Sequence, residues 1–312
     1  MSIDHTLPDR PVGGRRSPRP RPKGLLQLTD FVDVAFLAHS ASVDWTVGVD
    51  FGLYENDKFG DCGPTYVANS RRLATKWLTG TEQRPTQDDV FDLYRRSGNP
   101  QFNPATGADD NGVDMTVMLD AVCAGGIGGV KAIAYAALDP KNMDQLQAAI
   151  EIFHGVGFGV TLQVAQQTQV GTWNYIPGSG TWGGHAILGA AFTPTDVDVI
   201  SWDELFKMTP SFIQHDDDEA YVVIWPEHLA DPRVDKVKLA AAYKALTGRD
   251  LPIPVAPTPP GPVAPFPGVL VAAVAALAGD PQTAAFLGER HWRAADKAVA
   301  TRLKTLLAAP RA

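Results

Sequence analysis

Cys62 is preceded by Asn56-Asp57-Lys58-Phe59-Gly60-Asp61 and followed at once by the helical spacing of Tyr66, Val67, Leu73, Ala74, Trp77 and Leu78. A thiol at the head of a helix feels the positive end of the peptide dipoles, which favours thiolate and lowers the pKa. That is the condition for a cysteine nucleophile. A lone cysteine is more often buried and inert, so its company decides the matter. Asn56, six residues upstream, carries a side-chain amide able to donate, beside the Cys62 N–H, into an oxyanion hole. Far downstream, Thr181-Trp182-Gly183-Gly184-His185-Ala186-Ile187-Leu188-Gly189 sets a histidine behind glycines at the head of an apolar strand. The glycines allow close backbone approach and the strand holds the imidazole rigidly. Together, Cys62 and His185 would perform acyl transfer, with the thiol attacking and the imidazole carrying protons.

Other candidates carry less. Cys123 lies in a helical stretch before Ala124-Gly125-Gly126 and reads as a structural thiol. His215-Asp216-Asp217-Asp218-Glu219 could bind a cation, yet a solvated loop before a strand accounts for it. Asp109-Asp110-Asn111-Gly112 lacks the spacing of an EF-hand loop. His154, at a helix end before Gly155, suits a cation meeting the dipole. Neither a phosphate-binding glycine loop with its lysine nor a Gly-x-Ser-x-Gly elbow is present, and no metal or cofactor is expected.

The elements that must position these residues follow from periodicity. Helical spacing recurs at Met143, Leu146, Ile150 and Phe153. Apolar runs rich in β-branched and aromatic residues predict strands at Val156–Val164, Ala186–Phe192 and Tyr221–Trp225, with a shorter one at Val197–Trp202. Helices early and strands late predict an α+β domain rather than a regular βαβ repeat.

The flanks read differently. Residues 1–24 hold six basic and two acidic side chains among prolines and glycines, which predicts a flexible basic tail. A domain is expected over 25–250, then a stiff Pro-rich linker over 251–268, then an Ala-rich helical segment over 269–312 that could contact a protein partner. A net charge of −8 over 312 residues argues against gripping nucleic acid. Two cysteines are too few for a disulfide framework and suit a reducing compartment. The chain opens without an apolar signal core, and its longest apolar run, Val263–Ala278, is too broken and short to span a bilayer. A cytoplasmic or virion-associated protein, bacterial or phage, is the expectation.

At this point the sequence resembles the papain-like cysteine peptidases, over roughly residues 42–225. Val43-Asp44-Trp45 is similar to a motif near the mature N-terminus of papain relatives. Asp61-Cys62-Gly63 resembles the Asp-Cys-Gly of the bacteriocin-leader peptidases, and Gly184-His185-Ala186 the family's His-Ala strand. Asp110-Asn111-Gly112 before Met115–Val122 is similar to the glycine loop and helix of the helical lobe, and Asp218–Ile224 to the closing strand. The resemblance implies a two-lobed fold, a helical lobe facing an antiparallel sheet lobe, with a small C-terminal helical appendage. It also implies that Asn56 stands where the family has its oxyanion glutamine. The family orients its histidine with Asn or Asp about sixteen residues on; here that place is Ser201, in Ile200-Ser201-Trp202-Asp203, with Asp203 as the alternative. Trp202 matches the tryptophan that shields this bond. The implied activity is thiol-dependent hydrolysis of peptide or isopeptide bonds in a peptide or protein substrate. A peptidoglycan amidase or endopeptidase, and a catalytically weak scaffold serving an assembly such as a virion, remain open beside it.

Overall fold

The protein, described as a computed structural model, is placed over residues 14–16, 24–34 and 40–252. The expected helical appendage, the linker beyond Pro252 and most of the basic tail lie outside the described residues.

Three helices precede most of the sheet. Helix α1 (Cys62–Thr79) ends where Gly80 adopts a left-handed φ of 76°, α2 (Gln87–Arg96) starts at a Thr86/Asp89 capping box, and α3 (Met115–Gly125) is capped by the Asp114 carboxylate. The remaining chain is mostly sheet. After the short β1 (Val43–Asp44), the strands are β2 (Ala134–Leu138), β3 (Val156–Gln163), β4 (Thr172–Trp173), β5 (Thr181–Phe192), β6 (Val197–Ser201), β7 (Glu204–Met208) and β8 (Asp217–Ile224). Helices α4 (Met143–Phe153), α5 (Pro210–Asp216) and α6 (Lys236–Thr247) intervene or follow. The sheet runs β2-β8-β3-β5-β6-β7-β4 with β1 added to β5; its pairings are antiparallel except β4 with β7.

Strand alternation builds two cores. Ala186, Leu188 and Ala190 of β5 and Tyr221 and Val223 of β8 face α1–α3, with Tyr66, Val67, Leu93, Met118 and Leu119. Ile187 and Phe192 of β5 and Ala220, Val222 and Ile224 of β8 face the other side, with Leu146, Ile150 and Phe153 of α4. Each buried Leu, Ile or Phe contributes about 1.5–3 kcal/mol by leaving water. The architecture is thus the expected α+β arrangement of a helical part against a mostly antiparallel sheet. Among the described residues no helix is long and apolar enough to cross a membrane.

The strand face of β3 toward the helical half is Gly157, Gly159, Thr161. A Cβ at Gly157 would meet the Tyr66 ring at 2.5 Å, and one at Gly159 would meet Glu219 Cγ at 2.6 Å and Arg15 Cδ at 2.8 Å. Side chains from two other segments therefore press directly onto this backbone.

Candidate active site

Cys62 is the first residue of α1, and Asp61 before it makes no side-chain cap. Because α1 packs on the Ala186-Leu188-Ala190 face of β5, the head of the helix meets the start of that strand's buried run. The Ala186 N–H donates to Cys62 Sγ at 3.3 Å, so the thiol lies beside the residue that follows His185. The helical and sheet halves thus bring the thiol of Cys62 to the strand that carries His185.

His185 is 1% exposed, and its Nε2 shares a 2.8 Å hydrogen bond with Ser201 Oγ at the end of β6. The imidazole stacks on Trp202, with centroids 4.2 Å apart and planes 18° from parallel. Trp202 and Asp203 form the two-residue turn into β7, both with left-handed φ (50° and 59°), and Ser201 pairs with Glu204 across it. Of the two residues expected to orient the imidazole, Ser201 carries the bond at Nε2 while Asp203 stands exposed in the turn. The strand ends at Ser201, so the polar side chain that points inward is the serine.

Asn56 lines the same small cavity as Cys62, Ala186, Ser201, Trp202 and Asp203. Its amide, however, is directed elsewhere: Nδ2 donates to Phe59 O and to Asp61 Oδ1, both at 3.2 Å. As placed it braces the turn before Cys62 instead of presenting a donor over the thiol. Asp61 is fully buried, and burial raises its carboxyl well above the ordinary carboxylate range against the lowering effect of Asn56. The turn is held from the other side by Asp110, whose Oδ1 accepts from the Gly60 N–H at 3.0 Å and from the Tyr94 hydroxyl at 2.6 Å.

The expectation of a thiolate-prone Cys62 is corrected here. Cys62 is 2% exposed, and burial pushes its thiol up to about 12, outweighing the Ala186 N–H. The chain's own N-terminal region contributes to that cover. Residues 14–16, expected as part of a solvated tail, lie in the groove between the two halves. The Arg15 N–H donates to Gly184 O (3.4 Å), the Val113 N–H to Gly14 O (2.7 Å) and the Arg16 N–H to Val113 O (2.8 Å). A Cβ on Gly14 would stand 2.9 Å from Cys62 Sγ.

Arg15 is buried. Its Nη1 donates to Glu219 Oε1 at 3.0 Å; its Nη2 donates to Val160 O and Thr161 Oγ1, both at 3.1 Å, and to Asp218 Oδ2 at 2.5 Å. The acidic run expected to be a solvated loop is instead the end of α5 and the start of β8, with Asp216, Asp217 and Glu219 buried. Nothing in the spacing of Arg15 singled it out among the basic residues of its stretch. The signal for its pocket was the Gly157-Gly159-Thr161 alternation, small side chains on one face of a strand. His154 also departs from expectation: it is buried against Trp45 and His228, and burial lowers it to about 4, so at neutral pH it is uncharged.

The fold is similar to that of the papain-like cysteine proteases. Xylellain, a cysteine protease from Xylella fastidiosa, superposes with a TM-score of 0.56 at 14% identity, over 70% of this chain and 97% of that one. Superpositions of lower score include proCathepsin B S9 from Trypanosoma congolense (0.48, 9% identity, 68% and 87% coverage) and procathepsin L 3 of Tenebrio molitor (0.46, 10%, 70% and 77%). No protein-family model and no curated protein matches the chain in sequence.

Proposed function

We propose that the protein is a thiol-dependent peptidase in which Cys62 is the nucleophile, His185 its proton partner and Ser201 the residue that holds the imidazole. The observation that carries this reading is the junction of β5 with α1: His185 is bonded to Ser201 through Nε2 while its neighbour Ala186 bonds the Cys62 sulfur. With Nε2 so engaged, Nδ1 is the nitrogen that exchanges a proton with the thiol.

Cys62 Sγ forms a bond to the carbonyl carbon of the substrate, and the carbonyl oxygen takes the negative charge. The Cys62 N–H stabilises that oxyanion, joined by Asn56 Nδ2 once it exchanges its bond to Phe59 O for the developing charge. The C–N bond breaks as imidazolium protonates the leaving amine. Water then gives a proton to His185, its oxygen attacks the thioester, and the C–S bond breaks to return the thiol.

The cover over Cys62 also favours a second reading, a papain-like scaffold without turnover. Rapid-quench mass spectrometry of the Arg15→Gln chain with a peptide mixture separates the two. A peptidase gives peptide-sized acyl adducts on Cys62 and released amine products, both lost in Cys62→Ser. Amine release that survives Cys62→Ser, or no adduct and no product, contradicts the proposal.

A further inference from the structure

Around the Arg15 guanidinium stand four acceptors: a main-chain carbonyl, a hydroxyl and two carboxylates. The carboxylates come from consecutive residues, which in a regular strand would face opposite ways. Between β3 and β8 the register passes from Gly159↔Glu219 to Val160↔Asp217, so Asp218 is the extra residue of a bulge, and the bulge lets Asp218 and Glu219 serve one pocket. Each is held in place by a neighbour: the Thr161 hydroxyl donates to Asp218 Oδ2 at 2.6 Å, and the Tyr221 hydroxyl to Glu219 Oε2 at 3.0 Å. Gly159 supplies the floor, since any side chain there would collide with Glu219 and with the Arg15 stem.

Residues 14–16 reach this pocket through main-chain bonds to Val113 and Gly184, with a glycine where the path crosses Gly60 and Cys62. Of the side chains, that of Arg15 is buried among several acceptors, that of Arg16 makes one exposed bond, from Nε to Asn111 O at 3.1 Å, and position 14 has no room for any. Backbone pairing for affinity and a side-chain pocket for choice is a general mode of peptide recognition. We propose that the pocket of Val160 O, Thr161, Asp218 and Glu219 is a subsite for an arginine side chain of the peptide substrate, occupied in this structure by Arg15 as a stand-in. The proposal rests on the peptidase reading for the word substrate. Gly14, the residue before Arg15, lies on the thiol, so the selected arginine is the immediate neighbour of the residue presented to Cys62.

The geometry separates arginine from its analogues. Nη1 and Nη2 go to different acceptors, which a planar fork satisfies and a single ammonium nitrogen does not. Citrulline, equal in shape but uncharged, would leave two carboxylates in a largely buried pocket without a cation.

The test uses the full chain with Arg15→Gln, which empties the pocket, and two capped tripeptide amides, glycyl-arginyl-glycine and glycyl-citrullyl-glycine. The arginine peptide is expected to protect Cys62 from iodoacetamide at concentrations about a hundredfold below the citrulline peptide, and fluorogenic versions to differ as much in kcat/KM. Glu219→Gln or Asp218→Asn, added to Arg15→Gln, is expected to bring either ratio toward one. Arg15→Lys, which keeps the charge and gives up the fork, is expected to show the same preference with weaker self-occupation. Equal protection by both peptides, or a preference that survives the pocket substitutions, overturns the subsite. Protection by the arginine peptide without hydrolysis of any peptide supports the subsite and removes the peptidase reading; hydrolysis indifferent to arginine does the reverse.

Discussion

Gly14 lies against Cys62 so closely that a single added carbon on the glycine would stand 2.9 Å from the sulfur. The helix head that should favour thiolate is therefore a buried position, and burial outweighs the dipole. Cys123, half-buried on α3, is likewise held up at about 12, also by burial first. The resting chain thus carries two protonated thiols.

It follows that iodoacetamide at pH 7 should modify Cys62 of the wild-type chain no faster than Cys123. Arg15→Gln removes the guanidinium that anchors residues 14–16, and Cys62 alkylation should rise at least about tenfold, while Cys123 stays slow, as read by peptide mass spectrometry. Wild-type Cys62 labelling ahead of Cys123, unchanged by the substitution, contradicts the covering role of this segment.

Ser201 bonds the imidazole at Nε2 in a buried site under Trp202. Ser201→Ala should lower kcat/KM roughly ten- to a hundredfold, the worth of a hydrogen bond to a charged group. Ser201→Asp places a carboxylate at the same nitrogen, favours imidazolium, and should move the basic limb of the pH–rate profile up by about one unit. A merely structural serine would leave that limb where it is.

Arg71 is a stability residue rather than a site residue. Its guanidinium forms a double bond pair to Glu227 (2.6 and 2.8 Å), meets Gln83 Oε1 at 2.7 Å and lies 5.1 Å from the centroid of the Trp225 ring. Arg71→Ala leaves Glu227 partly buried without its cation and should cost about 3 kcal/mol, measured as a lower denaturation midpoint with an unchanged slope.

His154 gives a pH signature with a definite sign. Its ordinary value of 6.5 is lowered to about 4 by burial, with Asp231 raising it and Arg233 lowering it; His228 stacks on its ring and Trp45 packs against it at a tilt. Below pH 6.5 the unfolded chain gains a proton that the folded chain refuses until pH 4. The stability contributed by neutral His154 is therefore complete above pH 6.5 and is lost, by about 3 kcal/mol, as pH falls to 4. His154→Asn keeps a residue tolerant of the left-handed φ of 59° at this helix end and removes that slope. The difference in unfolding free energy between wild type and variant should shrink by that amount from pH 7 to 4.

Much of this molecule is legible in its sequence, for physical reasons that differ by element. The period-3.6 runs after Cys62 and Asn142 and the apolar run after Gly155 became α1, α4 and β3 within a residue or two of expectation. Strand β2 was missed because Ala134-Tyr-Ala-Ala-Leu138 has no β-branched residue, and β7 because its hairpin turn is Trp202-Asp203, two positive-φ residues without a glycine to announce them. The placing of Cys62 beside the His185 strand was expected from the sequence, and the resemblance offered Ser201 or Asp203 as the imidazole's partner, of which Ser201 makes the bond at Nε2. The Asn56 bonds to Phe59 and Asp61, the burial of Cys62 and the seat of Arg15 were not readable, because each depends on which backbone lies over which side chain. Arg15 and Glu219 are 204 positions apart, and only the folded groove makes them partners.

The most direct measurement of the central claim is the rate of Cys62 alkylation between pH 5 and 9 in Arg15→Gln, alone and combined with His185→Ala. A thiol paired with imidazole reacts readily near pH 6 when uncovered, and loses at least about a hundredfold at that pH when His185 is removed, with its titration moving toward that of an ordinary cysteine. A rate and pH profile that are the same with and without His185 would contradict the pairing on which the proposed activity depends.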